Sequence, residues 1–188
     1  MSRDGYLDMA RLAILLAILL IGALALWWFS PKPLSPEARV ALEEWLNTSC
    51  QAGENNSGAG SLRRFSAALE APLIEIAETG PPQAALLSVE NQARRRYEQI
   101  RVALRSGKPT GLPAEYMAKL AAQPVDDYVL RSRQDYVAGQ VSAALAGLGI
   151  IGGGKGRRLL EQIAADPKSP FQETAREARF GDSAPGKL

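Results

Sequence analysis

Between Gly147 and Arg158 the chain reads GLGIIGGGKGRR, five glycines ahead of a lysine. Phosphate-cradling loops use that combination, because glycines let backbone N–H groups converge on an anion that a lysine then neutralises. Gly149, Gly154 and Lys155 fall on the nucleotide-binding pattern G-x-x-x-x-G-K-[ST]. Gly156 stands where that pattern needs a hydroxyl to ligate magnesium. The pattern also follows a β-strand, whereas the preceding residues, YVAGQVSAALAG, have helical spacing. The stretch is therefore expected to join two helices, its glycines accepting positive φ at a C-cap and turn. The N-terminus of the second helix, beside Lys155 and Arg157, retains the capacity to hold an anion.

Other reactive groups are sparse. The chain has no histidine, which removes the commonest general base, metal ligand and nucleophile activator. Its one cysteine, Cys50, can form neither an internal disulfide nor a cysteine-rich metal site. No serine sits beside a plausible base. Asp126-Asp127 could imitate a paired-carboxylate site, but acids at that place are expected to favour the start of a helix. Arg94, Arg95 and Arg96 are consecutive, so they point around a helix; they are the candidate contact for an acidic partner. The tyrosines at 97, 116, 128 and 136 fall largely on apolar stripes and are expected to pack in a core. No catalytic residue, metal ligand or cofactor is expected, and the chain reads as a non-enzyme.

These residues hang on an N-terminal apolar run. LAILLAILLIGALALWWF, Leu12 to Phe29, carries no charge over 18 residues. As a helix it spans about 27 Å, close to a hydrocarbon core of about 30 Å. Trp27 and Trp28 occupy the position of interfacial rings, and Ser30, Pro31 and Pro33 then end the helix. The rival is a cleaved leader, for which Ala23-Leu24-Ala25 has the small-x-small form. Continuation into LWWF, with Asp4 and Asp8 ahead of the run, favours an uncleaved anchor. Arg3 and Arg11 favour a cytoplasmic N-terminus and an extracytoplasmic (periplasmic) domain on the inner (plasma) membrane.

The remaining composition favours helix: Ala, Leu, Glu and Arg dominate and β-branched runs are nearly absent. Residues 1–93 carry 6 Lys/Arg against 10 Asp/Glu, and residues 94–188 carry 16 against 10. The positive half is interspersed with acids, which fits a solvated helix surface, and nucleic acid is not expected as a partner. The domains expected are a tail 1–11, a transmembrane helix 12–30, a stem helix and flexible loop 31–61, a helical domain 62–181 and a disordered tail 182–188. Within them, Ser35-Pro36 starts a helix with Ala38, Ala41, Leu42, Trp45 and Leu46 on one face. A helix over 62–81 is expected to kink or split at Pro72, and a longer one over 82–106 shows Leu86, Val89, Ala93, Tyr97, Ile100 and Leu104. Further helices are expected over 113–122, 126–148, 155–165 and 170–179.

These helices fall into pairs with weak self-similarity. MAKLAAQP, ending at Pro124, aligns with LEQIAADP, ending at Pro167, and AALAGLG at 143–149 lies over AREARFG at 175–181. Residues 136–181 resemble HEAT-type helical repeats. Asp166, Ala175 and Ala178 match that family's places for a first-helix terminal Asp and an Ala-rich second helix, while Arg179 stands where an apolar residue is usual. The resemblance implies an all-α array of about three helix pairs that acts as a protein-binding scaffold. The function expected is thus docking of a protein partner at the bilayer; the alternative is an accessory subunit of a membrane complex, held mainly by its transmembrane helix.

Overall fold

The computed structural model describes residues 33–49, 57–106 and 113–180. The chain divides into two units, Met1–Ser35 and Pro36–Leu188. The predicted membrane run Leu12–Phe29, with Trp27 and Trp28, lies outside the described residues, as do Cys50 and the tail 182–188. Among the described residues no helix is long and apolar enough to cross a membrane.

The second unit is all-α among its described residues. Its helices are α1 Pro36–Ser49, α2 Ser57–Arg64, α3 Ser66–Thr79, α4 Gln83–Ser106, α5 Ala114–Ala122, α6 Val125–Ile151, α7 Gly154–Ala165 and α8 Gln172–Phe180. The expected apolar stripes turn inward. Ala38, Ala41, Leu42, Trp45 and Leu46 of α1 are buried, as are Leu86, Ala93, Tyr97 and Ile100 of α4. Pro72 does not split its helix. Pro72 lies inside α3, and the interruption falls at Phe65, between α2 and α3. A proline at a helix interior costs about 3 kcal/mol; the flanking Leu69, Leu73 and Ile76, all buried, offset it.

The organising element is α6. It packs against α1, α2, α3, α4, α7 and α8. Its sequence explains how one helix serves so many neighbours. The first half, VDDYVLRSRQDY, is charged on one side and packs on the other. The second half, VAGQVSAALAGLGII, is small and apolar almost all round, and such a helix must be covered on every side. Its alanines and glycines also let neighbouring backbones come close. The helices packed on one another are compatible with a helical repeat. In a solenoid, however, each unit touches only its neighbours in sequence, whereas α3 and α4 meet on α6 and α1 reaches it from about a hundred residues away. The pair α7–α8 packs directly as a hairpin.

The stem helix belongs to this packing. The Trp45 indole N–H donates to the Ala143 carbonyl at 2.8 Å, and the Gln140 amide donates to the Leu46 carbonyl at 3.3 Å, both buried. The indole lies between two helices that lack a Cβ where it passes. A Cβ at Gly147 would stand 3.0 Å from Trp45 Nε1, and one at Gly58 would stand 3.1 Å from Trp45 Cε3. The boundary expected between a stem at 31–61 and a domain at 62–181 thus runs through one packed unit.

Candidate functional site

The glycine stretch lies where α3, α6, α7 and α8 meet. Gly147 and Gly149 are inside α6, which runs three residues further than expected, to Ile151. A Cβ at Gly149 would collide with the Ala178 carbonyl of α8, so this glycine sets how closely the last helix approaches. Gly152 ends α6 in the left-handed region at φ 68°, and its N–H donates to the Leu148 carbonyl at 3.1 Å. Gly153, at φ −65° and ψ 151°, is the N-cap of α7. Gly156, in the first turn of α7, is buried, and a Cβ there would stand 2.8 Å from Leu148 Cδ2.

The N-terminus of α7 does hold an anion, and the anion is the protein's own. Glu70 of α3 places its Oε1 2.9 Å from the backbone N of Lys155 and 2.9 Å from that of Gly156, accepting a hydrogen bond from each. Two amides at the positive end of a helix dipole, aimed at one carboxylate oxygen, form a charge-assisted cap. A Cβ at Gly153 would collide with this carboxylate. The geometry that suits a phosphate loop is therefore spent on joining α3 to α7. The Lys155 side chain is exposed and lines, with Glu70, Ile74, Glu75 and Glu78, a groove of about 390 Å³ along α3.

The other singled-out residues are spread over the surface. Arg94, Arg95 and Arg96 are exposed on α4. Arg94 Nη2 meets Asp126 Oδ1 at 2.9 Å, so one member of the triplet ties α4 to the first turn of α6. Asp126 and Asp127 both stand in that first turn, the dipole-favoured place. A second tie runs from Arg133 of α6 to Glu90 of α4 at 3.0 Å. Tyr97 is buried; its hydroxyl donates to the Gln123 carbonyl at 2.6 Å and its ring lies 5.6 Å from that of Tyr128. Tyr116 departs from the core expectation, at 51% exposed. It lines, with Lys119, Leu120, Tyr128, Arg131 and Asp135, a groove of about 380 Å³ between α5 and α6. Among the described residues no three of His, Cys, Asp and Glu are grouped to hold a metal ion.

Glu70 is the residue that sequence reasoning missed. A signal was present: α7 starts with glycines, lacks an acid in its first turn and carries Lys155 and Arg157 there, with Arg158 next. A helix so charged at its positive end requires an anion from elsewhere. Compared with protein-family models, curated proteins and solved structures, the chain matches none of them.

Proposed function

We propose that the chain is a single-pass membrane protein whose all-α domain docks a partner protein. The observation that carries this reading is the uncharged run Leu12–Phe29, ending in Trp27 and Trp28 ahead of a proline-rich stem. Arg3, Arg11 and the α-amino group, against Lys32 and Arg39 beyond the run, support a domain on the extracytoplasmic side of the plasma (inner) membrane. The HEAT-like form of this reading is supported by the hairpin α7–α8, with Ala175 buried on its second helix, and it applies to that hairpin rather than to the α6 hub. Docking draws on the groove between α5 and α6, where tyrosines flank Lys119 and Arg131. Tyr and Arg are the residue types that anchor protein interfaces. The exposed Arg94–Arg96 triplet offers a second contact, for an acidic surface.

Two measurements test the proposal. The protein should stay in the membrane pellet after carbonate extraction; release, with a mature N-terminus at Leu26, would make it a secreted soluble protein. Deleting residues 1–30 should leave partner capture by residues 31–188 intact. Loss of capture from a folded fragment would favour the accessory-subunit reading, in which the membrane helix makes the contact.

A further inference from the structure

Most helices carry their N-cap at the residue before the first turn: a Ser, Thr, Asp or Asn there accepts a hydrogen bond from the amide two or three residues on. Helix α7 has the backbone for such a cap and not the side chain. Gly153 holds the extended N-cap conformation, φ −65° and ψ 151°, which any L residue adopts. The oxygen that a Ser or Asp at 153 would supply is supplied by Glu70, 85 residues from Lys155 in sequence. The two amides it takes, of Lys155 and Gly156, are the N2 and N3 donors that a local cap would serve. The carboxylate also fills the space into which a Cβ at 153 would project.

We infer that Glu70 is a transposed N-cap, a latch that makes the first turn of α7 conditional on α3. Three features make that turn unable to hold itself. Gly154 and Gly156 are poor helix formers. Lys155, Arg157 and Arg158 crowd cations at the positive end of the dipole. Gly152 and Gly154 have nothing within 4 Å of where a Cβ would be, so no side chain packs against that face of either, although Gly156 is buried against Leu148. With Glu70 in place the turn is ordered and α3 is fastened to the terminal hairpin. With Glu70 withdrawn the turn opens about Gly152–Gly154, while α8 stays seated on α6 through the close approach of Gly149 to Ala178. The latch is thus a local order–disorder switch within an otherwise fixed packing, and it stands whether or not the chain docks a partner.

The transposition has a consequence that an ordinary packing contact lacks: an oxygen supplied at 153 should make good the loss of Glu70. Hydrogen exchange followed by mass spectrometry on the full chain in detergent micelles reads this directly. Glu70→Ala should accelerate exchange at Lys155 and Gly156 by about tenfold, with the amides of α1 and of α6 near Ala143 unchanged. Gly153→Ala alone should also accelerate it, because its Cβ displaces the carboxylate and brings no oxygen of its own. The double variant Glu70→Ala, Gly153→Asp should return exchange toward the native rate, with a local cap in place of the distant one. Unchanged exchange in Glu70→Ala would overturn the latch, and so would an even acceleration across all helices. Failure of Gly153→Asp to slow exchange in the Glu70→Ala background would overturn the transposition.

Discussion

Gly147 and Gly149 differ from Gly152 and Gly154 in what the missing Cβ does, although the four lie within eight residues. The first two are inside α6 and face other chain segments: Trp45 and Leu73 at Gly147, the Ala178 backbone at Gly149. Their conformation is helical and any residue would adopt it; what they lack is room. Gly152 has room on every side and needs its left-handed φ of 68°. Gly154 has room and a helical conformation, so neither constraint applies to it. A glycine-rich stretch that resembles one motif therefore combines close packing, a dihedral requirement and plain tolerance, and these respond to substitution in different ways.

The largest effect expected from this comparison is at Gly149. A methyl there meets backbone, which cannot rotate away, so α8 must shift off α6. Overpacking of this kind costs about 1–3 kcal/mol, and Gly149→Ala should reach the upper end of that range in urea denaturation. A cost below about 0.5 kcal/mol would show that α8 moves freely and that the approach is not a constraint. At the turn, Gly152→Val should cost about 1–2 kcal/mol for the left-handed conformation. Gly154→Ala should have the opposite sign, stabilising by about 0.4–1 kcal/mol because it restricts only the unfolded chain. Equal effects at 152 and 154 would remove the distinction between them.

The sequence makes the apolar half of this architecture readable and hides the polar half. The α1 face of Ala38, Ala41, Leu42, Trp45 and Leu46 is visible from its spacing, and all five are buried. Period shows which face turns inward but not against what, so the contact of α1 with α6 and its place inside the domain were not legible. The slot for the Trp45 indole depends on Gly58 and Gly147 arriving on opposite sides of it, a three-helix coincidence that no local pattern carries. The same holds for the hub. Helix pairing reads as nearest neighbours in sequence, yet the small residues of VSAALAGLG allow α6 to be shared. The break at Phe65 escaped for another reason: Pro72 was the stronger local signal, and buried neighbours overrode it. Nothing local to Glu70 marks it as a cap, and only the unsuitable charges of α7's first turn point toward a distant carboxylate.

The smallest effect expected is at the residue that first drew attention. Lys155 contributes its backbone N–H to Glu70, and alanine keeps that group. Its side chain is exposed at the positive end of a helix dipole, a place that disfavours a cation by a few tenths of a kcal/mol. The carboxylates of Glu70, Glu75 and Glu78 line the same groove and oppose that term, so Lys155→Ala should shift stability by less than about 0.5 kcal/mol. A nucleotide loop demands the reverse, since its lysine would neutralise phosphate charge and its loss would abolish binding. The geometry opposes that demand at two points: the α7 amides are taken by a carboxylate, and Gly156 offers no hydroxyl for magnesium. Calorimetric titration with magnesium-ATP should give no heat above dilution for either protein. Tight, magnesium-dependent binding that Lys155→Ala removes would mean that Glu70 yields its place to phosphate, and the junction would then have to be read as a site.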